Sequence, residues 1–329
     1  MKVVAPMQSA VPREPSPLEE AAQAFTGVRP RLFGIAYRML GSWAEAEDLV
    51  QEVWLRWQRT DRGVVEDPAA FLATITTRLA INVLKSARAR REAYVGPWLP
   101  EPVDTGADPG VGAERGAAVE LALLLLMEKL TPTERAAYVL REAFDYPYDR
   151  IAAVVRTGEA NARKLVSRAR GHLSEGRREP VNPREHRRLV EAFLTAAQAG
   201  DLAALEEILA EDVVSRSDGG GRVRNSARVP VTGRDRVARL LQAFAPRFWP
   251  GSRTEIAEMN TRPGLVVSRG GTPFALLSVD ASAQGIHQLL WVMNPGKIAS
   301  FQRSSRGVIG APGSPPGAGG LSDAGEPAC

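Results

Sequence analysis

The sequence predicts a multidomain chain, two all-α domains followed by one α+β domain, and three patterns carry that expectation. Between Phe25 and Arg91, apolar residues recur at three- and four-residue spacing, as on one face of successive helices. Between Glu114 and Arg178, two further helical patterns meet at Thr157-Gly158. After Asp212 the pattern changes to short strand-like runs with one helical segment among them. At 329 residues, the chain is also too long for a single ordinary domain.

The first domain is expected over residues 23–92, after a loose, proline-bearing tail over 1–22. From Ala44 to Trp57, Leu49, Val50, Val53, Trp54 and Trp57 share one helix face, and Glu45, Asp48, Gln51 and Glu52 share the other. The apolar face makes core and leaves the acidic face for a partner. Gly41-Ser42 ahead of this helix reads as a C-cap glycine followed by a new helix start. A third helix opens at Asp67-Pro68, with proline at the first helical position. It places Phe71, Leu72, Ile75, Leu79, Val83 and Leu84 on one side and ends in Lys85, Arg88, Arg90 and Arg91.

Residues 93–113 hold prolines at 97, 100, 102 and 109 with no helical period, and so form a linker. Within it, Trp98, Leu99 and Pro100 put large apolar groups on a stiff backbone, which is costly in water and predicts docking. The second helical domain, 114–178, contains Thr131-Pro132-x-Glu134 as a helix start, a short helix over Tyr148 to Val155, and a helix from Glu159. That is helix-turn-helix spacing, with Gly158 expected to supply a positive φ in the turn. Between Arg163 and Arg178 there are six Lys/Arg against one Glu. A helix entering the major groove needs such chemistry, base-reading side chains flanked by phosphate contacts.

Over 182–304, two helices (Arg184 to Gln198 and Asp201 to Leu209) precede β-rich segments VVSRSD and RVRNSARVPV and a helix from Arg234 to about Phe248. Then come TEIAEMN, GLVVSRG, TPFALLSV and HQLLWVM, the last expected to turn at Asn294-Pro295-Gly296-Lys297 into a strand IASFQR and to project Lys297 outward. Helices followed by a curved sheet with one inserted helix give an α+β cone. Residues 305–329, rich in Gly, Pro, Ser and Ala, are expected to be disordered.

A net charge of +4 permits nucleic-acid binding without proving it. A lone cysteine, Cys329, excludes an intrachain disulfide and a cysteine-clustered zinc site. The longest apolar run, near Leu121 to Met127, is far below the roughly 20 residues of a membrane span, and the N-terminus has no signal-peptide core. The expectation is a cytoplasmic protein with no membrane partner, no metal and no cofactor.

The ordered AEDLVQEVWLR helix, the cationic helix after it and the later helix-turn-helix together resemble the sigma-70 family, most closely its extracytoplasmic-function (ECF) group. The first domain resembles sigma region 2 and the second sigma region 4. The resemblance implies that Asp48, Gln51 and Glu52 contact core RNA polymerase. It also implies that Arg78 and Asn82 capture a flipped base of the minus-ten element while Lys85 and Arg88 track phosphates. Arg163, Lys164 and Arg168 would read the minus-thirty-five element of promoter DNA, with Leu165 as a packing residue. The α+β region resembles the SnoaL-like, NTF2-related cone. Its DGGGR (Asp218 to Arg222) and NPGK (Asn294 to Lys297) segments, with WLPEP in the linker, resemble the SigJ-like group of sigma factors, which more often has Asp where this chain has Gly296.

By that resemblance Trp98, Leu99, Pro100, Asp218, Gly219, Gly220, Asn294, Pro295 and Lys297 are regulatory contacts, and no residue is assigned to catalysis. Asp218 and His287 are the acid/base candidates if the cone were an enzyme, since a carboxylate and an imidazole suffice for proton transfer beside a carbonyl. A lone strand histidine and an Asp before three glycines also suit ordinary structural duties. The favoured function is a transcription initiation factor with an in-cis regulatory domain. The alternative is a sigma factor whose cone binds or turns over a small ligand. A simple repressor has no use for the acidic ED-x-x-QE face.

Overall fold

The computed structural model describes residues 16–106, 120–174, 176, 178–223 and 226–305. Calls on the tails and on part of the linker (1–15, 107–119, 306–329) lie outside these residues.

The first domain is a three-helix bundle of α1 (Pro17–Leu40), α2 (Trp43–Arg59) and α3 (Pro68–Glu92). Helix α1 starts before the expected boundary because Ser16 and Glu19 form a reciprocal capping box ahead of Pro17. Gly41 ends it in the left-handed region at φ 66°, and Ser42 caps α2 by accepting from Glu45 N–H. This abrupt corner lets α1 and α2 fold back on each other. Leu49, Val50, Val53 and Trp57 are buried on the predicted face of α2, and the Trp57 indole donates to Ala21 O at 3.0 Å. Asp67 caps α3 by accepting from Ala70 N–H at 3.0 Å.

The second domain comprises α4 (Leu121–Met127), α5 (Pro132–Phe144), α6 (Tyr148–Val155) and α7 (Glu159–Ser174). Thr131 and Glu134 form the capping box of α5. The helix-turn-helix is α6 and α7, but the positive φ that reverses the chain lies at Arg156 (φ 58°) and not at Gly158. Gly158 serves instead through its carbonyl, which accepts from Asn161 and Ala162 N–H in the first turn of α7.

The third domain opens with α8 (Pro183–Ala199) and α9 (Leu202–Ile208). Its sheet contains β1 (Leu209–Asp218), β2 (Val231–Thr232), β3 (Ser252–Met259), β4 (Arg262–Arg269), β5 (Thr272–Ser282) and β6 (Gly285–Val292), in the order β2-β1-β6-β5-β4-β3. Only β1 and β6 run parallel. Helix α10 (Arg234–Phe248) lies between β2 and β3 in the chain. Two expectations are corrected. Of RVRNSARVPV, only Val231 enters a strand, at a two-residue edge. The NPGK segment is no hairpin: Asn294 and Pro295 start helix α11 (Pro295–Ser305), where IASFQR was expected as a strand. Asn294 accepts from Gly296 N–H through its side chain and from Ile298 N–H through its carbonyl, and Pro295 is preorganised for the first turn.

The pleat of this sheet serves two cores. Leu277, Val279, Leu289 and Trp291 pack with α8, α9 and α10 in the domain's own core. Leu276, Leu290 and Val292, on alternate positions, join Ile298 and Phe301 of α11 in a core continuous with that of both helical domains. Among buried polar groups at this junction, Asn260 donates to the Tyr37 hydroxyl (2.9 Å), accepts from Val103 N–H (3.0 Å), and donates its own N–H to Val103 O (2.9 Å). One side chain thus ties the cone, the linker and α1. Asn260→Ala leaves buried partners unpaired, so we expect a loss of about 1–3 kcal/mol, read by denaturant unfolding, whereas a surface change such as Glu206→Ala stays within about 0.5 kcal/mol.

Candidate polymerase, DNA and interdomain interfaces

Helix α2 presents Asp48, Gln51 and Glu52 to solvent together with Leu55, an exposed large apolar residue one turn further on. Spacing of 48, 51, 52 and 55 makes one stripe. Glu52 pairs with Arg56 at 2.7 Å, an exposed i,i+4 bond that contributes little to folding. The stripe therefore combines carboxylates, an amide and one apolar side chain with no intrachain packing duty for Leu55. Its exposure marks a partner surface that periodicity alone assigned only by its charge.

On α3, Asn82 and Lys85 are exposed; the side chain of Arg88 lies outside the described residues. Arg78 behaves otherwise. Its Nε donates to Val154 O at 3.0 Å and its Nη2 to Ala153 O at 2.8 Å, so its guanidinium caps the C-terminus of α6. In this arrangement Arg78 is occupied by the neighbouring domain and not presented to a base. Arg91 also departs from the expected phosphate-tracking role. It pairs with Glu128, which pairs in turn with Arg135, while Arg135 Nε donates to Arg38 O at 3.0 Å. These groups stitch α1, α3 and α5 together at the domain junction. The two arginines hold the Glu128 carboxyl below its ordinary range, against the opposing effect of burial.

Helix α7 buries Ala162, Leu165, Val166 and Ala169 and exposes Arg163, Lys164 and Arg168. Leu165 is therefore a packing residue. Arg163 lies over the Tyr148 ring at 4.5 Å and within 2.5 Å of Glu159, and Arg168 lies 3.5 Å from Glu134. All three cations remain on an open face.

The three segments singled out in the linker and cone converge on one group. Asp218, the last residue of β1, is 0% exposed and accepts from Tyr94 Oη (2.6 Å), Leu99 N–H (3.0 Å), Gly220 N–H (3.1 Å) and Lys297 Nζ (2.7 Å). Lys297 is 6% exposed, correcting the expectation that it points outward. Its ammonium also donates to Leu99 O and lies 4.3 Å from the Trp98 ring, whose indole additionally stacks against Arg91 at 3.7 Å. Burial lowers the lysine's pKa, and the Asp218 charge opposes that shift. Gly220 has a positive φ of 60°, and a Cβ there would meet the Asn294 amide at 2.6 Å, so only glycine lets DGGGR close on NPGK. Asn294 also donates to Tyr94 Oη at 2.8 Å.

The strap then runs on to the first domain. Pro100 and Trp98 cover Gly41, and the Glu101 carboxylate accepts from Trp43 N–H (2.7 Å), Ala44 N–H (3.3 Å) and Ser42 Oγ (3.0 Å) at the start of α2. Thr105 N–H bonds Glu258 O at 3.1 Å at the end of β3. The linker thus lacks internal bonds, as expected, because its polar groups bond to the domains on either side. Tyr94, Glu101 and Asn260 were missed in sequence; no local period marks a residue whose partners lie more than fifty positions away.

Asp218 and His287 are not a working pair. His287 bonds Asp212 Oδ1 through Nδ1 (2.8 Å) and Ser282 Oγ through Nε2 (2.7 Å). Ser282 is itself buried and bonded to Gln284, with no described cavity opening on it, so this Asp-His-Ser string fastens the β5–β6 turn. Among the described residues no cluster of three or more His, Cys, Asp or Glu is set to hold a metal ion, and no helix is long and apolar enough to cross a membrane.

Residues 24–90 match the family Sigma-70 region 2, residues 120–173 match Sigma-70 region 4, and residues 190–294 match the SnoaL-like domain. The ECF RNA polymerase sigma factor SigJ of Mycobacterium tuberculosis is 38% identical over 236 residues, covering 69% of this chain and 74% of that one. The chain belongs to the ECF sigma factors. A probable ECF sigma factor of the same organism, SigI, is 34% identical over 67% of this chain and 75% of its own length. The crystal structure of the M. tuberculosis sigma factor SigJ superposes with a TM-score of 0.70 at 32% identity, covering 84% of this chain and 98% of that one. The architecture is therefore that of a SigJ-like sigma factor: two helical sigma domains and a C-terminal SnoaL-like domain.

The Asp218–Lys297 pair gives a direct test of the latch in this sigma factor. Lys297→Met strands a buried carboxylate and Asp218→Asn a buried ammonium; each is expected to cost about 3–5 kcal/mol, and the double variant to recover a large part of it in a double-mutant cycle followed by thermal unfolding. Additive losses would show that the two groups do not act together.

Proposed function

We propose that this sigma factor engages core polymerase through the α2 stripe of Asp48, Gln51, Glu52 and Leu55, and reads promoter DNA through α7 and the exposed part of α3. We further propose that its SnoaL-like domain regulates initiation in cis by holding the two sigma domains together. The observation that carries the regulatory reading is the convergence of WLPEP, DGGGR and NPGK on the buried Asp218 carboxylate. A linker fixed in this way cannot let the two helical domains separate to meet two promoter elements. With Arg78 capping α6, one cationic group of the first domain stays committed until that separation occurs. On this reading the domain contributes contacts and restraint rather than chemistry, because its obvious acid and base are both consumed by structural bonds.

The decisive experiment compares the full chain with a chain ending at Arg178 for binding to purified core polymerase and for transcription from a promoter it recognises. We expect both to bind and the shorter chain to bind more tightly; a shorter chain that binds equally well removes the restraint, and binding by neither removes the docking assignment. Joint replacement of Asp48, Gln51 and Glu52 by alanine is expected to abolish polymerase binding while circular dichroism stays native. In DNA titrations, Arg163→Ala should weaken the minus-thirty-five element by about 1–3 kcal/mol. An equal loss on scrambled DNA would make Arg163 a phosphate contact only.

A further inference from the structure

The concave side of the SnoaL-like sheet holds two neighbouring voids that the regulatory latch does not use. The inner one, about 60 Å³, lies among Ser215, Ser217, Leu240, Phe244, Trp249 and Trp291. The outer one, about 180 Å³, is bounded by Val223, Phe274, Arg247 and Arg269. Phe244, Phe248 and Met293 border both, so a single aromatic wall separates them. The Phe248 ring stands edge-on to Trp249, Phe274 and Trp291 at centroid distances of 4.7, 5.3 and 5.5 Å.

Three features distinguish this place from ordinary core. Phe244, Phe248, Trp249 and Phe274 are only half-buried, although aromatic groups of this size normally complete a core. At the inner end, the Ser215 hydroxyl is 97% buried with its residue and has no hydrogen-bond partner among the described residues. At the rim, every charged lining residue is cationic: Arg269 lies 4.7 Å from the Phe274 ring, and Arg247 is exposed without an ion pair among the described residues. An apolar cavity of about 150 Å³ is enough for a benzene ring.

We infer that the cone binds a small aromatic carboxylic acid, with its ring against Phe244, Phe248 and Trp291 and its carboxylate toward Arg247 and Arg269. Desolvating the ring supplies the attraction, and the rim arginines select an anion over a neutral isostere. The site is also coupled to the latch by chain geometry. Ser217 and Met293 line the void, while the adjoining Asp218 and Asn294 bond to the linker on the opposite face of the sheet. Met293 N–H donates to Asp218 O at 2.8 Å, so the two strand ends move as one. Occupancy that shifts Met293 is felt by the Asp218 carboxylate one residue away.

The test is calorimetric titration of the full-length protein, without polymerase or DNA, using phenylacetate and its neutral isostere phenylacetamide. Because neither polymerase nor promoter is present, its outcome is independent of the sigma assignment. We expect saturable 1:1 binding of phenylacetate at least tenfold tighter than of phenylacetamide. Arg247→Gln, at an exposed position with no described bond to lose, should reduce that preference at least threefold without moving the melting temperature. Ser215→Leu, which fills the inner void, should abolish binding of both. Equal affinity for the two probes overturns the anionic class. Absence of saturable phenylacetate binding to the wild-type protein, or an Arg247→Gln preference equal to that of the wild type, overturns the site.

Discussion

Everything that joins the third domain to the other two passes close to one buried charge. A carboxylate removed from water must be compensated nearly completely, and Asp218 achieves this with four donors drawn from three distant parts of the sequence. Tyr94 and Leu99 come from the linker, Gly220 from its own loop and Lys297 from α11. Because each donor is needed, none of the segments can drift independently. Trp98 adds a second constraint by standing against both Lys297 and Arg91, which places the cationic end of α3 beside the cone. The linker is thereby converted from a tether into a structural element.

The sheet makes that arrangement economical. Alternate residues of β5 and β6 face opposite ways, so Leu277, Val279, Leu289 and Trp291 build the cone while Leu276, Leu290 and Val292 extend the helical core. A strand buried on both faces is stiff, and its ends carry the loops that grip the linker. Regulation in cis needs such a connection, in which an event on the cone's inner face alters contacts with the sigma domains. The alternative, a domain suspended on a free linker, could change local concentration but could not hold Arg78 against α6.

Sequence patterning was sufficient for α2 and α7 because each is an amphipathic helix whose buried and free faces are decided by spacing. The exposed stripe through Asp48, Gln51 and Glu52 and the cationic face through Arg163, Lys164 and Arg168 follow directly. Caps were equally legible: Ser42, Asp67 and the Thr131/Glu134 pair act within three residues of themselves. Asn294-Pro295 was ambiguous for the same reason, since Asn before Pro suits a turn or a helix start. Burial of Ile298 and Phe301 against the sheet selects the helix. The turn before α7 shows the limit of a residue rule. Arg156, not Gly158, takes the left-handed conformation, because the helix α6 ends one residue earlier than the glycine suggests.

What the sequence by itself determined was the set of elements, the two DNA-facing helices and the membership of a sigma family, all of which rest on local periodicity and short motifs. Only the tertiary structure decided which cations are free. Arg78, Arg91 and Lys297 are written in the sequence like Lys85 and Arg163, yet they are consumed by α6 carbonyls, by Glu128 and by Asp218. Charge on a helix face states what a side chain can do. Whether it meets solvent, DNA or another domain depends on partners 50 to 200 residues away, and such partners leave no periodic trace.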